Sequence, residues 1–140
     1  MSKLIETLRR HEGVEKYVYK DHLGYDTIGV GRLVQADIGL GLSDDEIDYL
    51  LQNDIDRVEK ELVDSFDWFV ELDPVREEAC INMCFNLGLT RYKGFSRALA
   101  AMGRHDYEEA ADEFMDSLWA RQVGDRAVEV TEMIRTGEYQ

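Results

Sequence analysis

One stretch of this chain, residues 14 to 34, has β texture, and everything after Ser43 runs on a helical period. From Val14 to Val34 the sequence is rich in Tyr, Val, Thr and Ile and interrupted by glycines. Gly24 falls in the turn between Tyr17-Val18-Tyr19 and Tyr25-Asp26-Thr27-Ile28, which predicts a hairpin or three short strands. A sheet this small cannot bury a core of its own, so the helices must supply it. Before the sheet, Leu4, Ile5 and Leu8 sit at helical spacing behind Ser2, and Gly13 stops the run, predicting a helix over 3–11 that delivers Glu12 to its C-terminal end. After the sheet, Ser43-Asp44-Asp45-Glu46 has the pattern of a capping box. It opens the series Ile47, Leu50, Leu51, Ile55, Val58 and Leu62, one apolar face maintained for about five turns.

Asp73-Pro74 marks a further start, and the run to Leu87 is apolar around most of its circumference before Gly88 ends it. That pattern predicts the buried centre of a helical lobe. Three more helical stretches, near 96–102, 106–118 and 125–136, are punctuated by Gly103, Gly124 and Gly137. The segregation of strands from helices gives an α+β class. The expected organisation is a single domain over 1–140: a small β lobe at about 13–42, a linking helix at about 43–63, and a helical lobe at about 64–140 joined by the N-terminal helix 3–11.

Composition removes several classes of function. Thirty Asp and Glu against sixteen Lys and Arg leave a net charge of −14, the wrong sign for a surface that reads nucleic acid or binds an anionic membrane. No apolar run approaches the length of a membrane span, and Glu6 interrupts the N-terminus before a leader's apolar stretch could form. The expectation is a soluble monomer made in a cytoplasm without a signal peptide. Cys80 and Cys84 stand one helical turn apart in an apolar segment, which suits two buried free thiols better than a disulfide. His11, His22 and His105 complete no ligand pattern with them, so no metal and no cofactor is expected.

Where chemistry could reside is a matter of position, since most carboxylates in so acidic a chain are surface charges. Glu12 ends a helix beside Gly13, Asp21 lies in the hairpin turn, and Thr27 is on the returning strand. A carboxylic acid that protonates a leaving oxygen, a carboxylate opposite it and a hydroxyl that holds water are the parts of a glycosidase. By residue type alone the same three could be a helix-terminal Glu, a turn Asp and a strand Thr.

Order and context add a family likeness. Leu8-Arg9-Arg10-His11-Glu12-Gly13, then Tyr19-Lys20-Asp21, then Gly24-Tyr25-Asp26-Thr27-Ile28-Gly29-Val30-Gly31 resembles the catalytic segment of the T-even phage lysozymes, endolysins of glycoside hydrolase family 24. The likeness continues through Asn53-Asp54-Ile55-Asp56, Ile81 to Gly88, Gly94-Phe95-Ser96, Trp119, Asp125-Arg126-Ala127 and Arg135 to Tyr139, nearly the whole chain in order. It implies a lysozyme-like fold and a muramidase that cuts the β-1,4 bond between N-acetylmuramic acid and N-acetylglucosamine in bacterial peptidoglycan. In that reading Glu12 is the general acid, Asp21 the second carboxylate and Thr27 the residue that positions water in an inverting hydrolysis.

The resemblance further implies that Leu33 and Phe85 line a saccharide cleft, that Asn82, Asn86 and Trp119 touch sugar, and that Arg126 pairs with Glu12. For a phage product it implies storage in the host cytoplasm before release to the wall. A lytic transglycosylase and a non-catalytic glycan- or protein-binding module are the competing readings. Three departures stand out. Arg32 replaces a histidine of many relatives, which leaves a pairing with Asp54 open; Ala98 and Glu113 occupy two polar cleft positions; and the chain is acidic where T-even lysozymes are basic.

Overall fold

A computed structural model describes residues 2–140. Among these residues eight α-helices and a three-stranded antiparallel sheet keep the predicted order of helix, small sheet, long helix and helical bundle, with two short helices beyond the six predicted. They are α1 (Ser2–Glu12), β1 (Glu15–Lys20), β2 (Asp26–Gly29), β3 (Arg32–Leu33), α2 (Asp44–Ser65), α3 (Pro74–Leu87), α4 (Leu89–Tyr92), α5 (Ser96–Gly103), α6 (Tyr107–Met115), α7 (Leu118–Val123) and α8 (Asp125–Thr136), with a 3-10 turn at Phe69–Glu71. The class is α+β, as expected. The chain divides into two compact units, residues 1–50 and 51–140.

In the first unit β2 is the central strand, and Thr27 is the register partner of Tyr19 on one side and of Leu33 on the other. Opposed residues of an antiparallel pair project to the same face, so these three share one. Thr27 is buried between its neighbours, and among the described residues of this unit it alone is. α1 begins at Ser2 and takes in Glu12; Gly13, at φ +80°, turns the chain out of it.

The capping box at α2 is reciprocal. Ser43 N–H donates to Glu46 Oε1 at 2.8 Å and Glu46 N–H to Ser43 Oγ at 3.3 Å, satisfying two donors that a helix start leaves free.

The second unit holds the apolar core, which runs from Val58 and Leu62 of α2 to Ile134 of α8. α3 starts where Asp73 accepts the Arg76 N–H and ends at Gly88. Its predicted all-round burial is corrected to one side: Ala79, Cys80, Met83 and Cys84 are buried, whereas Asn82, Phe85 and Asn86 are exposed. Both thiols are free and buried, as expected. Desolvation pushes Cys80 up to about 12 and Cys84 to about 11, so neither is an available nucleophile near neutral pH. Tyr92, Phe95, Phe114 and Trp119 form a chain of stacked and edge-on aromatic contacts through the centre.

The helix predicted over 106–118 ends at Met115, and a further short helix, not predicted, follows at Leu118–Val123. Ser117 separates them by donating its hydroxyl to Phe114 O and accepting the Ala120 N–H, which caps α7. Far along the chain, Arg76 reaches the end of α8: its Nε donates to Ile134 O at 2.6 Å and its Nη2 to Arg135 O at 3.2 Å, while the guanidinium lies over the Tyr107 ring. The last carbonyls of α8 thus gain a cationic cap.

Candidate active site

The first unit brings together all three residues of the expected trio. Tyr25 is the hinge between two of them through its backbone alone. Its N–H donates to Asp21 Oδ1 at 2.9 Å, and its carbonyl accepts both the Asp21 N–H and the Thr27 hydroxyl, each at 2.9 Å. Asp21 Oδ1 also accepts the Leu23 N–H at 2.9 Å, and the Asp21 carbonyl accepts that of Gly24. The Tyr25 amide is the main reason that the Asp21 carboxyl sits below its ordinary value, with help from the Leu23 and Gly24 amides and a nearby His22. An acid held this way is ionised at neutral pH.

Thr27 donates its only hydroxyl proton to Tyr25, which leaves its lone pairs to accept from a water. Leu33, across the β2–β3 ladder, lies beside it on the same face.

Glu12 is at the other end of β2. Its carboxylate rests against Gly31: a Cβ built on that glycine would lie 2.7 Å from Glu12 Oε2 and 3.2 Å from Glu12 Cβ. Gly31, at φ +66°, closes the turn between β2 and β3. Asp21 follows Lys20, which is the register partner of Asp26 at the opposite end of the strand. Three residue steps separate Asp26 from Gly29, or about 10 Å at the usual strand rise. Lys20 Nζ further ties that end by an ion pair to Asp26 at 2.5 Å. Two carboxylates with a hydroxyl between them along a strand can protonate one atom while directing water at another.

Arg32 Nη1 binds Glu46 Oε1 at 2.5 Å and Gly41 O at 3.2 Å within the first unit. Glu46 is already pinned by its own capping box, so Arg32 meets an acceptor held in place. Arg32 and the Ser43 amide hold the Glu46 carboxyl at about 2.

In the second unit Asn82, Phe85 and Arg126 line one groove of about 320 Å³ with Leu51, Ile55 and Ile81. Arg126 is tethered there by Asn82: Nε donates to its side-chain oxygen at 3.0 Å and Nη2 to its backbone carbonyl at 3.3 Å. Asn86 accepts the Trp119 indole N–H at 2.9 Å, which fixes the tryptophan as a buried wall. Trp119 shares a second cavity, of about 560 Å³, with Ala98 and Glu113.

Residues 9–135 match the family model of phage lysozyme. The chain belongs to the phage lysozyme family. Among curated relatives of this phage lysozyme family member, the pre-baseplate central spike protein Gp5 of Enterobacteria phage T4 is 31% identical over 96% of the chain, which spans 28% of that protein's length. Two proteins of Dictyostelium discoideum, described as probable T4-type lysozymes 1 and 2, are each 27% identical over 98% of the chain and 96% of their own lengths. Gly31 and Tyr25 are residues of this geometry to which sequence reasoning gave no role. The closely spaced Gly29 and Gly31 were the available signal for the first, and the tight turn between Asp21 and Thr27 for the second.

Proposed function

We propose that this phage lysozyme family member is a muramidase that hydrolyses the β-1,4 bond between N-acetylmuramic acid and N-acetylglucosamine in peptidoglycan. The observation that carries this reading is the Tyr25 backbone, which holds an ionised Asp21 and an oriented Thr27 hydroxyl at one end of β2 while the Glu12 carboxylate sits at the other. Glu12 gives its proton to the glycosidic oxygen. Asp21 takes a proton from a water whose position Thr27 fixes, and the water adds to the sugar carbon as the bond to the leaving oxygen breaks. Placing the two carboxylates at opposite ends of β2 leaves room for a water between them, the arrangement of an inverting hydrolysis. The reaction so written draws on no metal and no organic cofactor.

Leu33 beside Thr27 would support the sugar ring. Phe85, Asn82, Asn86 and Trp119 would form the remaining saccharide contacts, and Arg126, oriented by Asn82, would pair with Glu12. The corresponding organisation is one lysozyme domain with α2 as its linking helix. The protein would act as a monomer on the bacterial wall after release from a host cytoplasm.

The test is a cell-wall digest comparing the parent with Glu12→Gln, read by product mass and by circular dichroism. Hydrolysis leaves a free reducing end, and the variant should remain folded and lose lysis. An anhydro product, one water lighter, would instead identify a lytic transglycosylase. Saturable wall binding with no product from the parent would identify a binding module.

A further inference from the structure

We propose that Gln35 is a positioning residue for the Asp21 and Thr27 end of the site, its side-chain carbonyl standing in for a strand carbonyl that β3 is too short to provide. This inference rests on the hydrolytic reading above.

β3 has two residues, and its ladder with β2 ends at the Thr27–Leu33 pair. One step further along β2 lies Asp26, and the chain leaving β3 still bonds its carbonyl, through Val34 N–H at 2.8 Å and Gln35 N–H at 3.0 Å. Its N–H points to where a continued strand would offer an acceptor. Gln35 Oε1 occupies that place and accepts the Asp26 N–H at 2.9 Å in a half-buried setting. A buried or half-buried amide without a partner is costly, so the side chain completes the ladder by one residue.

Asp26 lies between the two groups that matter. Tyr25 precedes it and holds both Asp21 and the Thr27 hydroxyl; Thr27 follows it. On its other flank the only side-chain tie among the described residues is the Lys20–Asp26 ion pair, whose lysine is 65% exposed and therefore a weak restraint. Gln35 is itself built in. Its carbonyl accepts the Gly39 N–H at 2.7 Å and the Ile38 N–H at 3.3 Å. The return at Gly39 is so close that a Cβ there would stand 2.6 Å from Leu33 O and 2.8 Å from Gln35 O. The loop from 35 to 39 is thus folded around the backbone of the residue whose side chain secures Asp26.

The experiment uses the full chain with Gln35→Met, which keeps length and loses the acceptor, and Gln35→Glu, which keeps an oxygen of the same reach. Wall-hydrolysis kinetics are measured together with the exchange rate of the Asp26 amide and the NMR titration of the Asp21 carboxyl. Gln35→Met should lower kcat by about tenfold to a hundredfold, the scale of a small misplacement in a catalytic constellation, with KM nearly unchanged. It should speed Asp26 amide exchange by at least about tenfold and move the Asp21 midpoint up towards the ordinary carboxylate range. Gln35→Glu should recover kcat and Asp26 protection. The inference is overturned if Gln35→Met leaves kcat and the Asp21 midpoint at parental values, or if both variants lose kcat equally. An inactive parent would be a failure of the hydrolytic reading, and the exchange and titration, which need no substrate, distinguish the two.

Discussion

The carboxylate of Glu12 lies on the bare Cα of Gly31, with room for a hydrogen and none for a methyl group: a Cβ there would come within 2.7 Å of Oε2. Gly29, two residues earlier, has almost the same backbone, φ +69° against +66°, but nothing within 4 Å of where its Cβ would be. The two alanine variants therefore separate strain from displacement. Each should cost about 1–3 kcal/mol for an L-residue at positive φ. Gly31→Ala alone should push the Glu12 carboxylate aside and reduce wall hydrolysis by about a hundredfold. Denaturation midpoints and lytic rates measured on both check this, and equal activities would refute it.

The charge of −14 sets the salt response. An acidic enzyme and an anionic wall repel one another over about 8–10 Å at ordinary ionic strength and farther in dilute buffer. The lytic rate should rise from very low salt towards roughly 0.1–0.2 M, where that repulsion is screened. A monotonic fall over the same range, measured by turbidity of wall suspensions, would show that local cationic contacts outweigh the net charge.

Glu77 on α3 is raised above the usual glutamate value, first by burial and then by Glu59 and Glu78. A carboxyl whose folded pKa lies above its unfolded one favours the fold when protonated. That stabilisation is complete below the unfolded pKa and declines as pH rises through the folded one. Glu77→Gln should therefore be more stable than the parent at pH 7, by less than about 1 kcal/mol because the half-buried side chain is still screened in part by solvent. The advantage should vanish near pH 4. Urea denaturation at the two pH values measures it.

The Tyr92 hydroxyl is fully buried beside the Cys80 thiol, a weak partner, and meets no full hydrogen-bond geometry among the described residues. Burial first, and then Cys80, raise its pKa well above the ordinary tyrosine value. Tyr92→Phe keeps the ring in its contacts with Phe66, Phe95 and Phe114 and removes a poorly satisfied oxygen. A gain of up to about 1 kcal/mol, or a Tm higher by about 3 °C, is the expected result by calorimetry, and a lower Tm would show that the Cys80 contact outweighs the cost of burying the hydroxyl.

What could be read along the chain was what short-range physics decides. Helix starts at Ser43 and Asp73 and the stop at Gly88 were legible because a cap is formed by residues three or four apart. The hairpin was legible because alternating β-formers flank a turn at Gly24. The trio of Glu12, Asp21 and Thr27 was visible through position and family likeness, and all three fall in one unit around β2.

Folding alone settled which distant groups meet. Arg32 takes Glu46, Arg76 reaches the Ile134 carbonyl fifty-eight positions away, and Gln35 completes a ladder at Asp26. α3 is covered on one side only, although its sequence is apolar nearly all round. These outcomes depend on the direction in which turns such as Gly29–Gly31 and Gln35–Gly39 send the chain. Caps and periodicities are energies between near neighbours, fixed before the chain folds back. A long-range partner is met only once those turns have set the direction of the chain, and an acceptor already held in place, as Glu46 is by its capping box, costs little entropy to order.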